Sequence, residues 1–217
     1  MNSPLRQLIS ISSDPLLPPW NPGRTEQYPE LAGIPHELRV LLHLKNGFLA
    51  LESALHVYPI ALLRGRDELD LLGWNDPQGW RGEFGDLIPE SLLFFAQDAF
   101  GNQFGYIDQK IVTFCAETAE IEPLASTLAE WAELVLAEWD SLCGHHIARE
   151  WQLKNRPLCE GERLIPKFPL VLGGQWDVEN FYADSIANAM RFRGLLARQI
   201  ADVPDGTPIK IVVTNPP

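Results

Sequence analysis

Residues 92–114 have the sequence LLFFAQDAFGNQFGYIDQKIVTF, in which three short apolar runs are separated by polar or glycine-containing turns. Leu92–Ala96 is a compact run of the kind that forms a strand buried on both faces. Gln103–Ile107 and Ile111–Phe114 are rich in aromatic and β-branched residues, which indicates two further strands. Because the connections are too short for a crossover, the three strands are predicted to pair antiparallel.

The chain before these strands is predicted to contain an arm, a helix and another strand. Proline fixes φ and lacks an N–H donor, so the proline-rich residues 1–30 are interpreted as an extended arm with little regular structure. Pro35 suits the first turn of a helix, and Asn46-Gly47 suits its end. Residues 48–60 are mainly apolar and are interpreted as a turn and a strand.

The chain after the strands indicates a capped helix and a mixed C-terminal section. Thr127 and Glu130 form a T-x-x-E capping box, and apolar residues recur at helical spacing over 127–142. The later elements predicted from periodicity and turn signals are a helix at 145–154, a strand at 170–172, a helix that Asp184 caps and a strand at 209–213. Strands and helices do not alternate regularly. The predicted fold class is therefore α+β, with a mostly antiparallel mixed sheet, flanking helices and a C-terminal α/β extension.

Length and composition are those of an ordinary globular protein. A chain of 217 residues can bury enough surface to fold without a disulfide or a structural metal. No apolar run is long enough to span a bilayer, and the first residues lack the apolar core of a secretory signal. The three cysteines, Cys115, Cys143 and Cys159, have no framework spacing and are expected to be reduced thiols. These features predict a cytoplasmic protein.

The net charge of −12 is unevenly distributed along the chain. Residues 81–143 contain 12 acidic and 2 basic side chains, a net charge of −10. A surface that carries this negative charge repels nucleic acids and anionic membranes, so neither is an expected partner. It attracts a basic protein and accelerates the encounter with it. The simpler alternative, that the acids only keep the protein soluble, stays open.

The sequence contains no motif of a known catalytic or cofactor-binding site. It has no Walker loop, no dinucleotide-binding glycine motif and no nucleophile elbow. Residues 143–146 (CGHH) lack the spacing of a zinc site and are interpreted as ordinary helix-end residues. No catalytic residue, cofactor or metal is therefore expected. Acidic pairs such as Glu83 and Asp86 leave a carboxylate-dependent hydrolase as a third, minor alternative.

Tryptophans in turn-rich segments give the best indication of a binding surface. Trp74, Trp80 and Trp176 lie among Gly, Asp and Asn residues, where an exposed or half-buried indole adds contact area at low entropic cost. Nearby carboxylates would attract a basic partner. The predicted partner-binding residues are Trp74, Trp80, Glu83, Asp86, Asp98 and Trp176. The alternative is that these tryptophans only cover the core from the loop side.

A series of short motifs, taken in order, resembles the SMI1/KNR4 (SUKH) superfamily. The motifs are Ile34-Pro35, Asn46-Gly47, Gly73-Trp74-Asn75, Phe94–Asp98, Gly101–Phe104 and Ser126–Trp131. They extend over about residues 30–143, and the proline-rich arm and the section from 144 onward lie outside the pattern.

The resemblance implies an SMI1/KNR4-like domain at 31–143. The proline-rich arm at 1–30 and a C-terminal extension at 144–217, expected to pack on the core, complete the predicted division of the chain. The resemblance also implies a non-catalytic protein-binding module without a cofactor. Bacterial members are similar to immunity proteins that neutralise polymorphic toxins, often nucleases, so a basic toxin domain is the first expected partner. Fungal members imply an alternative function as a regulatory or scaffold adaptor without a toxin partner.

Overall fold

The structure is a computed structural model that describes residues 3–20, 33–61, 69–204 and 206–207. The centre of the described part is a six-stranded sheet whose strands follow one another in chain order, and every pairing in it is antiparallel. The strands are β1 (Phe48–Ala50), β2 (Leu55–Val57), β3 (Leu93–Gln97), β4 (Gln103–Ile107), β5 (Lys110–Phe114) and β6 (Ile121–Ala125). The α+β class and the antiparallel pairing of the strands within 92–114 are confirmed.

Helices precede, interrupt and follow this sheet. They are α1 (Pro4–Ser10), α2 (His36–Leu44), α3 (Leu71–Trp74), α4 (Arg81–Phe84), α5 (Leu128–Ala137), α6 (Trp139–Cys143), α7 (His145–Lys154) and α8 (Ile186–Ile200). A second, two-stranded antiparallel sheet of β7 (Glu162–Pro166) and β8 (Phe181–Ser185) lies between α7 and α8 in the chain. In the described ranges, no helix combines the length and the apolar character needed to cross a membrane.

The N-terminal segment contains a helix that its high proline content does not predict. Pro4 occupies the first position of α1, where a backbone N–H is not needed. The hydroxyl of Ser3 accepts a hydrogen bond from the Arg6 N–H (3.4 Å) and caps the helix. The prediction of an arm with little regular structure is therefore wrong for residues 4–10.

The chain that follows α1 covers the free edge of β1. The Ser13 N–H donates to the Leu49 carbonyl (2.7 Å), and the Leu16 N–H donates to the Gly47 carbonyl (3.0 Å). Trp20 is buried in the hydrophobic core and fixes the end of this segment. An uncovered strand edge is a template for unwanted pairing, so this segment closes the sheet on the β1 side.

The predicted helix over 127–142 consists of two helices. The Glu130 N–H donates to the Thr127 hydroxyl (3.1 Å) and the Glu130 carboxylate accepts from the Ser126 N–H (2.7 Å), so the capping interaction is confirmed. The backbone leaves helical geometry at Glu138, between α5 and α6. Trp139 is therefore 49% exposed and does not share the buried face of α5.

The C-terminal section packs on the sheet through backbone and side-chain contacts. The Leu164 N–H of β7 donates to the Ala99 carbonyl (2.9 Å), just after β3. Gly194 of α8 lies so close to Phe84 of α4 that an added Cβ would be 2.8 Å from its ring. Buried residues of this section belong to the same hydrophobic core as the sheet. That residues 31–143 form a domain of their own stays a prediction.

The four elements predicted for this section have different outcomes. The helices at 145–154 and 186–200 are confirmed, although Asp184 does not cap α8, because its carboxylate accepts from the Ser185 N–H (2.7 Å). The strand at 170–172 is wrong, since these residues form a 3₁₀ turn that ends at Gly173 in the left-handed region. The strand predicted at 209–213 lies outside the described residues.

Candidate protein-binding site

Trp74 and Trp80, two of the predicted partner-binding residues, belong to the core. Their exposed fractions are 0% and 2%, and their ring centroids are 5.0 Å apart. The Trp74 indole N–H donates to the Gln103 side-chain oxygen (2.9 Å), and Trp80 packs on Phe94. The expectation that these indoles are exposed or half-buried contact residues is wrong in this conformation. They cover the core from the loop side.

The polar side chains near these indoles form hydrogen bonds with backbone N–H and carbonyl groups of the surrounding turns. The Asp70 carboxylate accepts hydrogen bonds from the Leu72 (2.9 Å) and Gly73 (3.0 Å) N–H groups and starts α3. The guanidinium of Arg81 donates to the Leu92 carbonyl (2.8 Å). Because Gly, Asp and Asn serve turns and caps here, their presence around a tryptophan does not indicate exposure.

The predicted acidic contact residues lie in three different environments. Asp98 is buried and accepts hydrogen bonds from the Phe100 N–H, the Asn102 N–H and the Asn102 side-chain amide, each 2.8 Å. Burial raises the pKa of Asp98 to about 6. It therefore closes the turn between β3 and β4. Glu83 is half-buried beside α8, and Asp86 is exposed in the 3₁₀ turn that follows α4.

Trp176 is the one predicted tryptophan of the three that the structure places at the surface. It lies in the loop between β7 and β8 and is 54% exposed. Its ring centroid is 4.5 Å from that of Phe100 and 5.6 Å from that of Phe181, and both of these rings are buried. One part of the indole therefore packs on an aromatic base while the rest faces solvent.

The loop that carries Trp176 is held by its own hydrogen bonds. The side-chain amide of Asn180 donates to the carbonyls of Phe168 and Gln175 (both 3.0 Å), and its oxygen accepts from the Phe168 N–H (3.0 Å). Gly174 is packed so tightly that an added Cβ would lie 2.1 Å from the Phe168 carbonyl oxygen. A loop fixed in this way presents its side chains with little entropy left to lose on binding.

An apolar cleft of about 320 Å³ opens on one side of Trp176. Its apolar lining comes from the turn before β4, from β7, from the loop and from the start of β8: Phe100, Pro166, Leu170, Val171, Trp176 and Phe181. The turn between β5 and β6 contributes Cys115, Glu117 and Thr118 to the lining. We call this depression the apolar cleft.

The apolar cleft also contains a buried cation and a buried anion, Arg193 and Glu117. The Arg193 guanidinium donates to the Phe100 carbonyl (2.5 Å), and the Glu117 carboxylate accepts from the Val171 N–H (2.8 Å). Burial lowers the pKa of Arg193, while the charges of Glu117 and Asp98 oppose this effect. The cation and the carboxylates therefore compensate one another electrostatically, and the cleft remains mainly apolar.

Trp176 also lines an acidic groove of about 500 Å³. This groove is lined by the carboxylates of Asp140, Glu150, Asp177 and Glu179, with Lys154 and His146 beside them. The Lys154 ammonium lies 3.0 Å from the Glu150 carboxylate and 3.1 Å from that of Glu179, and these contacts raise the pKa of Lys154. Four carboxylates and one lysine leave this groove with a charge of −3 when His146 is neutral. We call it the acidic groove.

Trp176 lines both the apolar cleft and the acidic groove, and no other lining residue is common to the two. The same loop exposes the large apolar side chains of Phe168 and Val171, and the adjoining β8 exposes Tyr182. An excess of apolar residues in a loop rich in Pro and Gly is a sequence signal for such a surface. The remaining cleft and groove residues come from distant parts of the chain and have no local pattern.

Residues with possible catalytic or metal-binding chemistry take part in structural contacts. His56 is fully buried on β2, its ring nitrogen lies 3.1 Å from the Gln97 amide nitrogen, and burial lowers its pKa well below the ordinary value. Cys143 is buried, which raises the pKa of its thiol. His145 stacks beside Trp139. Within the part of the chain that the structure describes, no three His, Cys, Asp or Glu side chains are grouped so that they could hold a metal ion.

Comparison with known proteins gives a likeness in fold. No family model matches the sequence, and no curated protein matches it either. The chain is similar to the crystal structure of Atu4351 from Agrobacterium tumefaciens, with a TM-score of 0.57, 14% sequence identity and coverage of 86% of each chain. Identity at this level shows a shared fold alone. Residues 31–143 are about half of the chain, so the shared fold extends beyond them.

Proposed function

We propose that this chain is a non-catalytic protein-binding module of the SMI1/KNR4 type that neutralises a cognate basic toxin, with a nuclease domain as the first candidate. The observation that carries the proposal is the position of Trp176. Its half-exposed indole rests on two buried aromatic rings and lines both the apolar cleft and the acidic groove. We call the surface made of Trp176, the apolar cleft and the acidic groove the Trp176 surface.

A preorganised aromatic residue beside a concave apolar site is the usual centre of a tight protein interface. Tryptophan is enriched among the residues whose truncation costs most binding energy, and such residues lie in well-packed, desolvated surroundings. The indole of Trp176 already has its base in place, because Phe100 and Phe181 are buried beneath it. Binding then requires little rearrangement of this loop, which reduces its entropic cost.

The charge of the chain favours a basic partner. The net charge of −12 and the four carboxylates of the acidic groove attract a positively charged surface and accelerate association. Proteins that bind nucleic acid carry basic surfaces that neutralise phosphates. An acidic binder can occupy such a surface in place of the phosphates, which explains how binding alone would inhibit a nuclease.

Titration calorimetry with toxin domains encoded next to this gene tests the proposal. We expect one of them to form a tight complex and to lose its activity in the complex. Absence of binding heat with all neighbouring toxin domains would contradict the toxin function. A stable partner from the cell that is not a toxin would instead support the adaptor function.

The electrostatic part is tested by association rates with matched charge removals. Glu150→Gln with Glu179→Gln removes two charges from the acidic groove, and Glu83→Gln with Asp86→Asn removes two charges from α4 and the turn that follows it. We expect the first pair to lower the association rate constant roughly fivefold and the second pair to lower it less. Equal effects of the two pairs would show that only net charge matters and that the acidic groove has no special part in the encounter.

A further inference from the structure

We propose that the Trp176 surface recognises an extended partner segment in which an apolar side chain and a basic side chain are two positions apart, with the apolar side chain in the apolar cleft and the Lys or Arg in the acidic groove. The inference rests on the proposed function and specifies which chemistry the partner presents to this surface.

The apolar cleft fits an uncharged side chain. Its volume of about 320 Å³ lies at the lower end of the range for ligand pockets, roughly 300–1,000 Å³, so it accommodates a side chain better than a large ligand. Six of its lining residues are aromatic or aliphatic, and its two charged groups are already engaged. Arg193 donates to the Phe100 carbonyl and Glu117 accepts from the Val171 N–H. An incoming charge would lose its hydration without gaining a free counter-charge.

The acidic groove fits a cation. Lys154 lies between Glu150 and Glu179. The carboxylates of Asp140 and Asp177 accept hydrogen bonds from the His146 and Glu179 N–H groups, and among the described residues that line the groove no further cation balances their two negative charges. This excess negative charge selects a basic side chain for the groove, beside the indole of Trp176.

The spacing of the two side chains follows from the indole that both depressions share. Because Trp176 lines the apolar cleft and the acidic groove, side chains that fill them contact the same indole and lie close together. Along an extended strand, residues i and i+2 point to the same face and are about 6.6 Å apart. A segment of the form apolar–any–basic in an extended conformation therefore brings both side chains to Trp176.

Three short peptides test this specificity by NMR. The probes are acetyl-Phe-Ser-Lys-amide, acetyl-Phe-Ser-Glu-amide and acetyl-Ala-Ser-Lys-amide, each added to the full ¹⁵N-labelled chain. We expect the first to cause saturable shifts of the Trp176 indole N–H and of backbone amides in 166–181, and to bind at least about fivefold more tightly than the other two. Shifts of equal size with all three peptides, or no saturable shift at Trp176 up to about 10 mM of the first, would overturn the inference.

Two variants separate the two halves of the site. Val171→Asn makes a wall of the apolar cleft polar, and we expect it to reduce the preference for Phe over Ala while the preference for Lys over Glu persists. Glu150→Gln with Glu179→Gln should do the reverse. Trp139→Ala is the matched control, because Trp139 is similarly exposed but lines neither depression. Variants that alter both preferences equally would contradict the assignment.

The outcomes distinguish this inference from the proposed function. Binding of a toxin domain at another surface, with no peptide shifts at Trp176, would leave the function standing and overturn the inference. Peptide binding as described, without any toxin that binds, would overturn the toxin function and support the recognition chemistry.

Discussion

The guanidinium of Arg193 on α8 donates a 2.5 Å hydrogen bond to the carbonyl of Phe100, in the turn that joins β3 to β4. This bond connects the C-terminal helix to the central sheet at the base of the apolar cleft. Phe100 in turn supports Trp176, so the position of the exposed indole depends on a buried contact between the two sections of the chain.

Removal of the Arg193 charge should destabilise the whole chain. The carboxylates of Glu117 and Asp98 are buried near this guanidinium and would lose their compensating cation. We expect Arg193→Met to lower the free energy of unfolding by about 3 kcal/mol, as for other broken buried charge interactions. Urea denaturation measures the effect, with the exposed Arg198→Met as control. Equal stabilities of the two variants would show that Arg193 does not compensate these carboxylates.

The burial of Asp98 should make stability depend on pH. Its pKa in the folded chain is about 6, above the ordinary value of 3.8, so the folded state binds more protons than the unfolded state between these values. The contribution of Asp98 to stability is present below about pH 4 and is lost as the pH rises through 6. We expect Asp98→Asn to gain stability relative to the wild type over this range, with the exposed Asp86→Asn as control. Parallel stability curves for Asp98→Asn and the wild type would contradict the shift.

Glu162 should show the opposite behaviour. The Arg156 guanidinium makes two hydrogen bonds to its carboxylate (2.6 and 2.7 Å) and lowers the pKa of Glu162 to about 2. The stability that this carboxylate contributes is present above its ordinary pKa of 4.5 and is lost as the pH falls towards 2. We expect Arg156→Gln to return the pKa of Glu162 towards 4.5 in a carboxyl ¹³C titration, whereas Arg149→Gln should leave it unchanged. An unchanged pKa in Arg156→Gln would exclude this cause.

The turn between β4 and β5 offers a stabilising substitution. Asp108 and Gln109 have φ values of 49° and 61°, which are unfavourable for residues with a side chain but suit glycine. We expect Gln109→Gly to raise the free energy of unfolding by roughly 0.5–1 kcal/mol. Lys110→Gly, one residue later in β5, should instead lower it. If Gln109→Gly destabilises the chain, the contacts of the Gln109 side chain stabilise the fold by more than its left-handed backbone conformation destabilises it.

The central strands are predictable from sequence because short apolar runs with turns between them allow few other structures. β6 and β7 are harder to predict, because Glu122 and Pro123 interrupt the apolar pattern of one and the fully buried Arg163 lies within the other. Trp74 has polar neighbours that suggest exposure, yet those neighbours cap and close short helices around a buried indole.

The Trp176 surface is only partly predictable for a different reason. The sequence indicates Trp176 itself, because it is a tryptophan in a loop. Other residues that line the apolar cleft come from residue 100, from residues 115–118, from the β7–β8 loop and from α8. These segments meet only because the C-terminal section packs on the sheet. Local sequence spacing cannot predict a contact between segments so far apart in the chain, so the cleft can be identified only from the folded structure.

Calorimetry of the toxin complex with Trp176→Ala and Trp139→Ala is the most direct test of a binding surface centred on Trp176. The two residues are exposed to similar extents, 54% and 49%, but of the two only Trp176 lines the apolar cleft and the acidic groove. We expect Trp176→Ala to raise Kd about 30-fold, the effect of losing a central interface residue worth ~2 kcal/mol, and Trp139→Ala to leave Kd within about twofold. An unchanged Kd for Trp176→Ala would contradict the account.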